Sequence, residues 1–264
     1  MYSNEHILFL KKEKRKRYLI LFFQIFILIF IFFLWQFLAD NNLINTFLFS
    51  SPKNIVNTII KFNKSELLAH IEITLYETLI SFLIASILGI LIASLLWLNK
   101  TIAKIFEPFL NNINSLPKVS LGPLIIIWFG AGINSIIVMA LMVSLLLSII
   151  NIYNAFELTE KNYITLLKSF NAKKYQIFFK IILPFNKKNI FNILKINLSM
   201  SLIGVIMGEL LVSKKGLGYL IMYGSQVFNI NLIITSVFIL GIIAYLIYLI
   251  INKLERIFSN KKTK

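Results

Sequence analysis

Residues 170–185 read FNAKKYQIFFKIILPF, and this stretch decides how the whole chain is understood. It lies between two hydrophobic stretches, yet Lys173, Lys174 and Lys180 interrupt it and a Leu183-Pro184 pair closes it. Just upstream, Tyr163, Leu166, Leu167 and Phe170 recur at helical spacing. Lys161 and Lys168 fall off that face, and Glu160 is placed to favour a helix N-terminus. Asn171 then offers the left-handed conformation that ends a helix, which Asn takes more readily than other side-chain-bearing residues. A second helical run, Tyr175 to Leu183, is expected to stop at Pro184, where a helix entering the membrane can restart. The apolar face of such a short helix has two possible destinations. It can lie on a bilayer surface or dock into a groove on a soluble partner.

Working outward, the chain of 264 residues is 58% hydrophobic and 14% charged, with no cysteine and a mean hydropathy of +0.81. A soluble domain has no way to cover that much apolar surface, so the solvent for most of the chain is a bilayer. Disulfides and thiolate metal sites are excluded. His6 and His70 stand isolated, without metal-ligand spacing, and read as solvated or interfacial. The net charge of +16 would suggest nucleic acid in a soluble protein. Here it reads as a topology signal with lipid contact, and no nucleic-acid partner is expected.

A spanning helix needs about 20 apolar residues. Residues 18–38, 79–98, 189–208 and 232–251 each supply such a run. The first follows the basic run KKEKRKR (11–17) and reads as a retained helix, because no small-residue cleavage site follows it. A longer stretch, divided by Gly130-Ala131-Gly132-Ile133-Asn134, supplies a span from near Phe106 to Phe129 and another from Ile136 to Tyr153. The expectation is therefore an all-α polytopic membrane protein of about six spans, with both termini on one side. Of the 27 lysines and arginines, 20 then fall on the side of the termini and five on the other. That asymmetry puts the termini, and the loop 154–189, in the cytoplasm. The resulting organisation is a basic tail (1–17), one membrane domain (18–256) and a short tail (257–264), in a bacterial cell or inner membrane.

Inside this frame the third span is irregular. EPFLNNINSLPKVSLGPLIIIWFGAG (107–132) carries Pro108, Pro117 and Pro123 across the membrane. Backbone groups freed by proline are tolerated at that depth only when covered by protein or facing a wet cavity. A kinked buried helix and a broken helix lining a pathway both satisfy this. Glu209, near the outer end of the fifth span, is an ionisable group at depth and so a candidate for a pathway or gate. The alternative is an interface carboxylate paired with Lys214 or Lys215. Gly216 and Gly218 lack the third glycine of a nucleotide fingerprint and read as a tight turn.

Several stretches together resemble the permease subunits of ABC importers, in particular the nitrate, sulfonate and taurine group. Their cytoplasmic loop runs Glu-Ala-Ala, three residues, Gly, nine residues, Ile, one residue, Leu-Pro. This chain fits that frame without a gap as Thr165-Leu166-Leu167, Asn171, Ala172 onward, Ile181 and Leu183-Pro184. Thr165 stands in place of Glu, Leu166 and Leu167 in place of the alanines, and Asn171 in place of Gly. SLPKVSLGPLIIIWFGAG (115–132), GVIMGELLVSKKGLGYLI (204–221) and SSPKNIVNTI (50–59) resemble further segments of the group, in order. Glu77 occupies a position where those permeases usually carry arginine.

The resemblance implies a type I importer permease, half of a dimer expected to be a homodimer. Two cytoplasmic ATPase subunits and an extracytoplasmic solute-binding protein complete such an assembly. Helix 163–172 would be the coupling helix, with Tyr163, Thr165, Leu167, Phe170, Asn171, Ala172, Ile181 and Pro184 carrying the coupling to the ATPase. Pro117, Pro123, Glu209, Gly216 and Gly218 would serve the translocation pathway or its gate. The chain carries no Gly-x-x-x-x-Gly-Lys-Ser/Thr loop, so ATP and Mg are expected on the partner and no catalytic site here. A secondary transporter would need inverted repeats and intramembrane charges; an intramembrane serine protease would need a base near a serine. Neither pattern is evident.

Overall fold

The computed structural model describes residues 4–259; the ends of the two expected tails, 1–3 and 260–264, lie outside the described residues. All regular elements among the described residues are helical. In chain order they are α1 (Asn4–Asp40), α2 (Thr46–Phe49), α3 (Pro52–Lys61), α4 (Lys64–Leu98) and α5 (Lys100–Ser115). A 3₁₀ turn (Lys118–Leu121) leads to α6 (Gly122–Phe129), α7 (Ile133–Glu157), α8 (Lys161–Ser169) and α9 (Lys174–Ile177). A π-helical turn (Phe178–Ile182) joins α9 to α10 (Leu183–Phe185), followed by α11 (Lys187–Val212), α12 (Leu217–Gln226) and α13 (Ile230–Ser259). Polar side chains start several of these helices. Ser51 accepts the Asn54 N–H (3.2 Å) at α3, and Asn99 accepts the N–H groups of Thr101 and Ile102 (3.2 Å each) at α5.

Helices α4, α7 and α11 form the centre of the bundle. Small residues let their backbones close up, as membrane packing favours. A methyl group added at Gly204 would lie 2.5 Å from Ala140 Cα, one at Gly208 2.9 Å from Ile136 Cα, and one at Gly89 2.3 Å from Ser148 Oγ. Asn197 also donates to Ser86 Oγ across α11 and α4 (2.9 Å). Farther along α11, Lys195 pairs with Glu255 of α13 and sits 5.8 Å from the Tyr248 ring. Helix α1 stands apart. It touches the bundle through α3 and through Phe32 against Phe238 (5.8 Å), and the most apolar part of it buries nothing within the chain.

Five helices among the described residues, α1, α4, α7, α11 and α13, are long and apolar enough to cross a membrane. The remaining expected span, the third, takes the broken form that its prolines left open, with only the shorter apolar segment Lys118–Phe129 in its place. The chain there is not one helix from Phe106 to Phe129. Leu116 is extended (ψ 141°), Pro117 opens the 3₁₀ turn, and α6 has only eight residues, or about 12 Å of rise. The physical reason is the proline pair. Residues preceding proline are pushed out of the helical region, and Pro117 follows a helix that already contains Pro108.

The expected stop at Pro184 is corrected as well. The helical path runs through it, because the π turn ahead lets the Leu183 N–H reach back to Phe178 O. Widening the turn in this way makes room for a ring that would otherwise clash with the preceding carbonyls.

Candidate functional site

Two polar constellations lie far apart on the same helices. Thr74 and Trp97 mark them on α4, 23 residues apart, which is roughly 35 Å of helix.

At the first end, α8 and the segment after it fold against the bundle. Phe178 packs between Trp97 (5.5 Å) and the edge of Phe156 (5.4 Å), and Asn186 donates to Thr159 Oγ1 (2.7 Å). Asn171 has φ 53°. Around it, the Ala172 N–H donates to Leu167 O (3.1 Å) and the Asn171 N–H to Lys168 O (2.9 Å). These are the two bonds of a Schellman turn, closed between Leu167 and Ala172. Both side chains join the cluster built on Trp97, Phe156 and Phe178, as do Ile164 and Ile181.

The helical face drawn from sequence therefore divides in two. Ile164 and Leu167 point inward, while Phe170 (74% exposed), Leu166 (56%) and Tyr163 (44%) point out. Thr165 is exposed and donates only to Lys161 O of its own helix (3.0 Å). Tyr163 also leans on Phe185 (5.8 Å). Pro184 is half-buried behind α8. The result is a short, firmly seated helix whose outer side carries unmet apolar groups.

At the second end, the turn after α11 wraps around the Glu209 carboxylate. Gly216 N–H donates to His70 Nδ1 (2.9 Å), Leu217 N–H to Thr74 Oγ1 (2.9 Å) and Gly218 N–H to Glu209 Oε2 (2.5 Å). Thr74 in turn gives its hydroxyl proton to Glu209 Oε1 (2.6 Å). Three successive backbone N–H groups are thus satisfied by side chains of α4 and α11. The fit requires glycine. Gly216 has φ 113°, and a methyl group there would meet the Glu209 carboxylate at 2.3 Å. Glu209 is 1% exposed and pairs with neither Lys214 nor Lys215, so the interface-pair reading fails.

Glu77 is fully buried beside Glu209, and neither of its carboxyl oxygens has a well-formed hydrogen bond. It backs a cavity of about 400 Å³ whose rim includes Gly132, Ser213, Lys214 and Lys215. Pro117 and Pro123 are exposed on the broken segment and take no part in this cluster.

His70 was expected to be solvated or interfacial; it is 5% exposed and stacked on Tyr219 (5.8 Å, 11°). Sequence reading missed both His70 and Thr74 as partners of the glycine turn. The available signal was their i, i+4 spacing on an otherwise apolar helix, which places two polar groups on one face. Among the described residues no group of acids, histidines and cysteines is arranged to hold a metal.

Five helices fit to span, a broken apolar segment and a folded polar insertion define a multi-pass helical membrane protein. Its fold matches that of the MetNI methionine ABC transporter in an inward-facing conformation, with a TM-score of 0.66 at 20% identity over 73% of this chain and 96% of that one. The formylaminopyrimidine transport permease protein ThiX of Halalkalibacterium halodurans is 28% identical across 80% of this chain and 84% of its own length. The putative aliphatic sulfonates transport permease protein SsuC of Bacillus subtilis is 26% identical across 84% and 81%. Residues 85–264 match the family described as binding-protein-dependent transport system inner membrane component, and the chain belongs to that family. It is a transport permease.

Proposed function

We propose that this chain is the membrane half of an ABC importer for a small solute, coupled to a cytoplasmic ATPase through α8. Two copies form the pathway, and a solute-binding protein delivers cargo from outside. Both termini and α8 face the cytoplasm, a placement supported by the 20-to-5 distribution of basic residues. ATP and Mg belong to the partner, since the chain carries no phosphate-binding loop. The relatives named for formylaminopyrimidine and for aliphatic sulfonates support a cargo among small polar metabolites of that kind. Choice among them rests with the binding protein.

One observation carries the coupling role. The backbone of α8 is fixed by the Schellman turn at Asn171 and by its own inward residues, yet Leu166 and Phe170 remain exposed. A short helix held rigid with its apolar side outward is suited to a groove on a partner. The Gly216–Gly218 turn, locked to α4 and α11, serves the opposite mouth of the pathway.

The test is co-purification of the cognate ATPase with Leu166→Asp and Phe170→Asp at matched expression, alongside uptake. Both variants should reach the membrane and lose ATPase and transport together. Retention of both would contradict the reading, as would ATP hydrolysis by the purified chain alone.

A further inference from the structure

Behind α8, on the side turned toward the bundle, lies a cavity of about 120 Å³ that the coupling role does not use. Lys100, Lys161, Lys168 and Lys174 line it, with Glu157 the only acid among the lining residues. Its floor is apolar: Phe156 and Trp97 are buried there, 0% and 9% exposed. The four lysines come from three separate helices, α5, α8 and α9. None of them is in an ion pair among the described residues. Helix α8 begins at this cavity with Lys161, and no side chain, that of Glu160 at the N-cap included, bonds to its first-turn N–H groups.

The level of the cavity is set by the ends of two spanning helices. Trp97 is the penultimate residue of α4 and Phe156 the penultimate residue of α7. A tryptophan at that position marks the membrane–water boundary. A site there combines a cationic rim of lysines with an apolar floor at the level of the helix ends.

We propose that this cavity binds the phosphate headgroup of an anionic phospholipid, with the lysines around the phosphate and the glycerol and acyl portion against Trp97. Basic pockets between helices at the cytoplasmic surface suit that chemistry, and the inner leaflet supplies it. The lipid would then fill the space between α8 and the bundle and brace the helix from behind. The inference takes its side of the membrane from the function proposed above, but lipid binding is measured without the ATPase. A failure of one is therefore distinguishable from a failure of the other.

The experiment uses the purified full chain, exchanged from vesicles containing phosphatidylcholine and phosphatidylglycerol and examined by native mass spectrometry. The parent should retain phosphatidylglycerol in preference to phosphatidylcholine. The double variant Lys100→Gln/Lys174→Gln should retain at least about fivefold less. Lys104→Gln, an exposed lysine outside the cavity, should match the parent. Thermal melting provides a second readout: phosphatidylglycerol should raise the midpoint of the parent and not that of the double variant. Equal retention of the two lipids, or an equal loss with Lys104→Gln, would overturn the proposal. Protection of the parent by soluble glycerol phosphate to the same degree would overturn the lipid source. Loss of ATPase co-purification in the double variant with lipid retention unchanged would assign the lysines to the protein partner instead.

Discussion

The two ends of α4 are built on opposite principles. Around Thr74 the polar features of the sequence turn inward: a histidine, a threonine, a glutamate and two glycines satisfy one another, with Glu209 1% exposed, and only Lys214 and Lys215 of the turn stay outside. Around Trp97 the backbone is equally well fixed, yet the apolar side chains of α8 face outward, with Phe170 74% exposed. Apart from Glu77, whose carboxyl has no well-formed hydrogen bond, one end is closed within a single chain and the other is not. Polar residues at membrane depth are costly unless paired, so the first end must be finished internally. An exposed apolar row on a rigid helix marks a surface finished by something else.

The largest effect should come from breaking the closed end. Gly216→Val places a β-branched residue at φ 113° with its Cβ against the Glu209 carboxylate. Strain and overpacking together should cost about 3 kcal/mol or more, seen as loss of a cooperative melting transition and of membrane-inserted protein.

Next in size is a contrast within α8. Leu167→Asp puts a charge into the chain's own cluster and should cost about 2 kcal/mol or more of stability. Leu166→Asp, one residue away on the outer face, should change stability by less than about 0.5 kcal/mol while abolishing ATPase binding. Thermal melting and co-purification of the same two variants separate these outcomes. Identical behaviour of the pair would erase the division of the helix into inner and outer faces.

A smaller effect is expected at the turn between them. Asn171→Gly keeps φ 53° accessible and should be tolerated. Asn171→Val should cost about 1–3 kcal/mol if the turn persists, and it should lower uptake and ATPase stimulation in parallel if the turn rearranges. The smallest effect belongs to Glu77. Its buried carboxyl lacks a good hydrogen bond and lies beside another acid, so Glu77→Gln should leave the melting midpoint unchanged or raise it. A marked fall would show that Glu77 holds a contact required by the closed end.

How much of this was legible in the sequence follows the range of the interactions. Spans such as 79–98 and 232–251 announce themselves because hydropathy is a local property. The helix end at Asn171 was legible too, since one residue type and its spacing determine it. The glycine turn was visible as a turn, but its partners were not: His70 and Gly216 are 146 positions apart, and nothing local joins them. His70 was misread because an isolated histidine looks solvated until its neighbours are known. The third span was legible only as a choice between a kinked and a broken helix. Apolar content suggested one crossing, whereas Leu116 and Pro117 broke the backbone through local sterics that hydropathy does not register. At Pro184 the opposite happened, and a π turn absorbed a proline that should have ended the helix.

The chain lacks cysteine, which permits a direct comparison of its two ends in one measurement. Single cysteines at Phe170 and at Ser65, both exposed positions, are labelled with a maleimide in open membrane fragments, with and without the purified ATPase. Bound ATPase should sharply reduce labelling at position 170 and leave position 65 unchanged. Undiminished labelling at position 170, in membranes where the ATPase is bound, would contradict the role proposed for α8.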